Sequence, residues 1–306
     1  VYFQWDAASN SRLNILGAQS PAHLRAAILD GSGETEAKKL GSAIHMSVLE
    51  PELFSVRYLR QQQCSAYTEK GKGPRCTNPG KYVLPDRSTF FCGTHRGEHG
   101  ILTDVTVLSA DDAGTCEQVK AALARKRRAA NLIGAGGDFE VSIVWHEQVD
   151  IRTPEGERVT VTVPVKARLD YYSPNLQGGT VVDVKSAEVA SEQEFTRAIF
   201  RYRYYVQGGL YLRGCRRLPR PLPAQHFCFL AVEKKPPYEV GVFRLTEGAL
   251  DAGEEMAMKY LRLYAQCQYT GEWPGYPDRV RDVALPDWAW KQMDDELQQL
   301  EEVWPQ

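Results

Sequence analysis

No stretch of this chain approaches the ~20 consecutive apolar residues that a membrane span needs. The opening residues lack both the basic and the apolar region of a secretory signal, which argues against export and for a cytoplasmic protein. Positive charge is not in excess either. With 37 Lys and Arg against 39 Asp and Glu, the formal net charge is −2, so a surface generally coated with nucleic acid is not expected. What is present suffices for one large core, or one core with a small inserted module: 306 residues, 43% of them hydrophobic. Val1-Tyr-Phe-Gln4 looks like a protease-tag remnant, and residues from Trp5 onward are read as native.

The chemistry is concentrated in Lys166-Ala-Arg-Leu-Asp170 and Val181-Val-Asp183-Val-Lys185, with twelve residues between Asp170 and Asp183. Side chains alternate along a strand, so Asp183 and Lys185 share one face while Val182 and Val184 point into a core. A hairpin returning through Tyr171-Tyr-Ser-Pro-Asn-Leu-Gln-Gly-Gly179 would set Asp170 beside Asp183. Two such carboxylates repel unless a hard cation lies between them, and oxygen ligands suit Mg²⁺ or Mn²⁺. Solvated surface strands show the same spacing. The apolar setting argues otherwise, because burying an Asp and a Lys costs several kcal/mol unless they are paired or metal-bound. Phosphate cutting is the natural use.

Basic residues are clustered rather than abundant: Arg125-Lys-Arg-Arg128; Arg197, Arg201 and Arg203; Arg213, Arg216, Arg217 and Arg220. Each could be a solvated helix face, but phosphate contacts need local rather than total positive charge. The second and third clusters are the candidates for DNA. Periodicity predicts helices at Ser11 to Leu29 and Glu34 to Leu49, then three strands at Phe139 to Val149, Val159 to Tyr172 and Thr180 to Ser186. Ser191-Glu-Gln-Glu194 is a capping box for a long helix to Leu212. Strands at His226 to Glu233 and Tyr238 to Leu245 follow, then helices at Leu250 to Gln268 and Asp287 to Glu302. The order implies an α/β fold with a mixed central sheet flanked by helices.

A separate ligand set lies between Gln63 and His95. Cys64, Cys76, Cys92 and His95, the last two in C-x2-H spacing, form the soft tetrahedral set that Zn²⁺ prefers. Free cysteines in a loop are the bland reading, yet a Gly- and Pro-rich segment with so little apolar content has no other evident way to fold. An iron–sulfur cluster is the rival, and the histidine and the local spacing favour zinc. Cys116, Cys215, Cys228 and Cys267 are scattered and read as small buried residues.

The chain resembles the PD-(D/E)XK nucleases, and within them the exodeoxyribonuclease VIII (RecE-type) phage recombination exonucleases. The likeness runs through Asn10-Ser-Arg-Leu-Asn-Ile-Leu, Leu40-Gly-Ser-Ala-Ile-His45-Met-Ser-Val-Leu-Glu, Phe139-Glu140-Val-Ser-Ile-Val-Trp, Lys166 to Asp170, Val182 to Lys185, Tyr205-Val-Gln207-Gly-Gly-Leu-Tyr211, Phe229-Leu-Ala-Val-Glu and Gly271-Glu-Trp-Pro-Gly-Tyr276. Only about residues 57 to 110 fall outside it. The resemblance implies a restriction-endonuclease-like core with a small zinc-binding insertion: residues 1–56 the N-terminal helical part, 57–104 the insertion, and 105–306 the nuclease core and C-terminal helices. It implies that His45 joins Asp170 and Asp183 around Mg²⁺ or Mn²⁺, with a main-chain carbonyl near Val184, that Lys185 serves the attacking water, and that Glu140 is a carboxylate close by.

Gln207 and Tyr211 lie four apart on one helix face and resemble the Q-x-x-x-Y motif of RecB-type nucleases, which packs on the active site and contacts DNA. Tyr211 reads equally well as half-buried core. Arg197, Arg201 and Tyr204 extend that polar side toward phosphates. By resemblance the enzyme degrades duplex ends 5′ to 3′, leaves a 3′ strand for a single-strand annealing partner, and assembles into a ring. An endonuclease on the same core, and a binding module built on the zinc insertion, are the other two readings.

Overall fold

The computed structural model of the chain describes residues 5–30, 36–68, 73–97 and 100–303. The tag-like Val1 to Gln4, the start of the helix expected from Glu34, and Lys70 and Lys72 of the insertion lie outside the described residues. In chain order the elements are β1 (Ala8–Ser9), α1 (Asn10–Ala18), α2 (Pro21–Asp30), α3 (Glu36–Leu49), α4 (Pro51–Arg57), β2 (Tyr58–Arg60), β3 (Tyr82–Val83), β4 (Phe90–Phe91), β5 (Thr106–Leu108), α5 (Ala110–Arg125) and α6 (Arg127–Ile133). There follow β6 (Asp138–Arg152), β7 (Arg158–Ser173), β8 (Thr180–Ala187), α7 (Glu192–Arg201), α8 (Tyr204–Arg217), β9 (His226–Glu233), β10 (Val240–Arg244), α9 (Glu247–Thr270) and α10 (Asp287–Val303). Contacts divide the chain into Val1–Trp273 and Pro274–Gln306, and the second unit holds α10.

The central sheet runs β1-β7-β8-β9-β10, with β6 paired to β7. It is mixed: β6, β7 and β8 form antiparallel pairs, while β8 and β9 are parallel and β1 lies parallel to β7. Strand β8 is therefore central, and the Asp183–Lys185 pattern sits inside the sheet rather than at its edge.

Period-two alternation makes the layers. Val181 of β8 and Phe227, Phe229 and Ala231 of β9 pack with Leu13, Phe195, Val206, Leu210 and Leu261 of the helices on one face. Val182 and Val184, with Cys228, Leu230 and Val232, pack with Ala43, Ile44, Val119 and Leu123 on the other. Both faces are covered, as continuous apolar strands require.

Glycines let α8 approach closely enough to present its residues. A Cβ at Gly209 would lie 2.2 Å from the Glu254 amide nitrogen, and one at Gly253 only 2.0 Å from the Tyr205 carbonyl oxygen, so α8 and α9 cross backbone to backbone. Gly179, with φ +96°, makes the turn into β8, where a Cβ would overlap the Pro223 carbonyl.

Two expected helices are each divided. The first breaks at Ser20, because Pro21 has no amide hydrogen to continue it and starts α2 instead. The second begins as predicted, with Ser191 Oγ accepting the Glu194 amide at 3.4 Å. It then turns at Arg203, whose φ of 56° is left-handed and whose Nη2 donates to the Gly17 carbonyl at 2.6 Å. Helix α5 is not anticipated above, although Ser109 caps it through the Asp112 amide at 3.0 Å and Asp111 and Asp112 occupy its first turn.

Candidate active site

The register that pairs Phe139 with Tyr171 and Val141 with Leu169 sets Glu140 opposite Asp170. The register that pairs Tyr171 with Val182 would set Asp170 opposite Asp183, but that ladder ends there. Three carboxylates thus fall in one row across β6, β7 and β8, where like charges directly opposite are destabilising. The backbone departs from regular strand at the same place. Glu140 has φ 55°, which costs a non-glycine residue on the order of 1 kcal/mol. Asp170 Oδ2 accepts the Val184 amide hydrogen at 2.8 Å, taking the part of a strand carbonyl.

His45 enters from α3. Its Nε2 is 2.7 Å from Asp170 Oδ2 and its Nδ1 is 3.2 Å from Glu140 Oε1, so both ring nitrogens face carboxylates. Burial disfavours the charged imidazole, but the Asp170 hydrogen bond and the charges of Asp170 and Glu140 outweigh it and raise the pKa. Glu140 also pairs with Arg168, Nε to Oε2 at 2.6 Å, and burial leaves its own pKa raised.

Asp183 is 2% exposed, and burial followed by repulsion from Asp170 pushes its pKa up to about 6. Its Oδ1 accepts from Gln207 Nε2 at 2.6 Å and its Oδ2 lies 2.7 Å from Lys185 Nζ. Burial works against charge on Lys185, yet Asp183 and Asp170 together raise its pKa and keep the ammonium. The same Nζ lies 4.8 Å from the centre of the Tyr204 ring.

These groups line one cavity of about 800 Å³, with Val184, Gln207 and Tyr211 in its wall. Every residue expected around the catalytic ion is therefore at this cavity. Glu50, Arg57, Tyr58 and Arg168 also line it and were not anticipated. Arg168 could have been found from its place two residues before Asp170, since alternate residues share a strand face. Glu50 closes the segment that carries His45, whereas Arg57 and Tyr58, at the end of α4 and the start of β2, belong to no motif.

Arg197, Arg201 and Tyr204 line a neighbouring cavity instead. Within the third basic cluster Arg213 makes a two-pronged pair with buried Glu147, at 2.7 Å through both Nε and Nη2, and a third bond to Glu254 at 2.7 Å. Arg216 pairs with Glu254 as well. The charges of Arg213 and Arg216 are thus paired with carboxylates within the fold, while the half-exposed Arg217 lies 3.8 Å from Glu147.

The donor set fits a hard divalent cation. His45, Glu140 and Asp170 present ligand atoms within 4.8 Å of one another. The buried Glu140 Oε2 and Asp183 Oδ2 make no well-directed hydrogen bond, although Arg168 and Lys185 lie at ion-pair distance. Their lone pairs remain open to a cation.

The segment between Gln63 and His95 holds a second cluster. Cys64, Cys76, Cys92 and His95 also place their ligand atoms within 4.8 Å. His95 Nδ1 is 3.6 Å from Cys64 Sγ and 3.4 Å from Cys92 Sγ, and Cys76 and Cys92 sulfurs are 4.0 Å apart. Around a tetrahedral ion with Zn–S bonds of about 2.3 Å, sulfurs sit roughly 3.8 Å apart. The three thiols, with Ala66 and Phe91 against them, are the apolar cluster of this segment among the described residues. Burial opposes ionisation of Cys92, but the amides of His95 and Thr94 prevail and bring its pKa down to about 6, favouring the thiolate a metal binds.

Comparisons with known proteins bear on the fold. Residues 155–283 match a family described as a PDDEXK-like domain of unknown function (DUF3799), a span that contains Asp170, Asp183, Lys185, Gln207 and Tyr211 but neither His45 nor Glu140. No curated protein matches the chain significantly in sequence. A solved structure of a proposed exonuclease from Eubacterium rectale is 13% identical, covers 93% of this chain and 92% of its own, and superposes with a TM-score of 0.53. A second, the protein SSO0001, is 11% identical over 52% of this chain and 74% of its own, with a TM-score of 0.25 that carries no argument. The central mixed sheet flanked by helices, with a PDDEXK-like domain at residues 155–283, gives this chain a PD-(D/E)XK nuclease-like fold.

Proposed function

We propose that this protein is a Mg²⁺- or Mn²⁺-dependent deoxyribonuclease that hydrolyses duplex DNA from its ends, 5′ to 3′, leaving a 3′ single strand for an annealing partner. The observation that carries the reading is the convergence of His45, Glu140 and Asp170 with the Asp183–Lys185 pair in one cavity. His45, Glu140, Asp170, Asp183 and the Val184 carbonyl would hold the ion. Bound there, it would polarise a phosphodiester oxygen and lower the pKa of a coordinated water.

The protein's own groups supply the rest. Gln207 holds one oxygen of Asp183 and so fixes the orientation of the other. Lys185, kept charged by Asp183, orients the attacking water and offsets the negative charge on the phosphoryl oxygens of the transition state. Tyr211, 8% exposed, backs Gln207 on the same helix face. In this reading the Cys64, Cys76, Cys92 and His95 cluster holds a structural Zn²⁺ that folds the insertion, since four protein ligands leave no open position for chemistry.

We further assign the enzyme to the cytoplasm of a bacterial or phage-infected cell and to a closed ring of identical subunits, closed symmetry being the usual outcome of self-association. Among the described residues no helix is long and apolar enough to cross a membrane. Light scattering returning only monomer would overturn the ring. The central test is purified protein given end-labelled linear duplex and closed circular duplex, with Mg²⁺ or with chelator. Mg²⁺-dependent loss of linear DNA alone supports the reading, whereas cutting of closed circles would establish an endonuclease.

A further inference from the structure

We propose that the corner between α7 and α8 is a stacking platform for unpaired nucleotides of the DNA strand, a deepening that rests on the nuclease reading above. The segment Phe200-Arg-Tyr-Arg-Tyr-Tyr205 alternates aromatic and basic residues through this corner. Phe200 is 76% exposed and Tyr202 51% exposed, more aromatic surface than a solvated corner needs. The Phe200 and Tyr205 rings are stacked 8° from parallel with centroids 6.4 Å apart, and the Arg201 guanidinium lies 5.5 Å from the Tyr202 ring centre.

Next to the corner is a cavity of about 580 Å³, within the ~300–1,000 Å³ range of small-ligand sites. Arg197 and Lys234 in its wall are paired with Glu194 and Glu188. Arg201 has no carboxylate partner among the described residues, so its charge is the one left for a phosphate. Tyr204 belongs to this cavity and also faces Lys185 in the catalytic one. Tyr204 thus stands between the two spaces, and a strand leaving the reacting phosphate past Lys185 would run over it toward the second cavity.

The corner is pre-formed. Arg203 holds its left-handed turn through the bond to the Gly17 carbonyl, and Asn14 Nδ2 donates to the Tyr202 carbonyl at 3.5 Å. Rings held in place bind without first losing freedom. The occupant is an unpaired strand because in a duplex each base face is covered by its neighbour, whereas a splayed base offers its face to an aromatic ring.

The test is fluorescence anisotropy of the full chain, with magnesium omitted, on a forked duplex with unpaired arms and on a blunt duplex of equal length. Replacing both rings (Phe200→Ala with Tyr202→Ala) is expected to weaken binding to the fork about tenfold or more and to the blunt duplex less than about twofold. The paired conservative change, Phe200→Tyr with Tyr202→Phe, is expected to bind as the parent does. Arg201→Ala should reduce the salt dependence of fork binding by about one counterion. An unchanged affinity for the fork, or equal loss on both DNAs, overturns the proposal. So does a change in light-scattering mass with DNA binding intact, which would make the rings a protein interface. If the parent cuts no DNA with Mg²⁺ while fork binding still needs the rings, the nuclease reading fails and the platform stands.

Discussion

Asp170 accepts the amide hydrogen of Val184 at 2.8 Å, so a carboxylate of the candidate site holds the seam between β7 and β8 at the level where their ladder ends. In the proposed mechanism this one side chain serves both backbone and cation. Asp170→Asn keeps an oxygen for the amide and is expected to fold normally while losing nearly all cutting. Asp170→Ala also strands a buried N–H and should cost a further ~1–3 kcal/mol, read as a lower denaturant midpoint. Equal stability of the two variants would show that the bond contributes nothing.

Asp183→Ala removes a ligand that Gln207 orients and should nearly abolish cleavage while leaving much DNA binding. Lys185→Ala should still take up Mg²⁺ but cut at least ~10²-fold more slowly, the loss expected for one preorganised donor. Single-turnover rates separate the two effects, and near-parental rates in both variants would remove this pair from the mechanism.

Cation uptake should depend on pH. The Asp183 pKa is raised to about 6, so the carboxyl is protonated below that value and ionised above it. Mg²⁺ affinity by calorimetry is expected to fall as pH drops through about 6, with protons released on binding above background. An affinity flat from pH 5 to 8 would contradict the assignment of Asp183 as a ligand.

The insertion should carry its own metal. Elemental analysis after washing in mild chelator is expected to find about one zinc per chain, with Mg²⁺-dependent activity lost until magnesium is restored. Cys76→Ala should release zinc and unfold the insertion, because structural zinc can contribute on the order of 10 kcal/mol to a segment with little other core. Absence of zinc, or visible absorbance from iron, would refute it.

Away from the site, Glu147 ties β6 to α8 and α9 through Arg213 and takes a further hydrogen bond from Trp145 Nε1 at 2.9 Å. Burial alone would raise its pKa, but the Arg213 and Trp145 hydrogen bonds lower it below its ordinary 4.5. A depressed carboxylate pKa contributes stability above the unfolded value that is lost as pH falls through the folded one. Glu147→Ala should therefore cost on the order of 3 kcal/mol at neutral pH, with the difference from the parent shrinking below pH 4.5. Thermal melts at pH 7 and pH 4 provide the comparison, and a constant difference would count against the pair.

Much of the frame was readable one residue at a time. The alternation of Val182 and Val184 with Asp183 and Lys185 assigns β8 and its two faces, because a strand has only a two-residue period to satisfy. Ser191 announced α7 because its hydroxyl caps a helix using residues three positions away. The end of that helix was not readable, since Arg203 turns the chain by reaching Gly17, and no local pattern records a contact so distant. The same holds for Arg213, whose position in a basic cluster suggested a surface that the carboxylates of Glu147 and Glu254 have already claimed.

The sequence by itself determined which residue types could do chemistry and how they are spaced along the chain: a carboxylate, then a carboxylate and lysine on a buried strand, and three cysteines with a histidine in a segment without other core. Only the tertiary structure decided that the row of carboxylates extends to Glu140, that His45 bridges two of them, and that Tyr204 stands against Lys185 while Arg201 opens into a second cavity. Spacing is a property of neighbours in the chain. Where β6, β7 and β8 come into register and which helix lies over their seam depends on packing among residues up to a hundred positions or more apart, and that is settled only when the whole core closes.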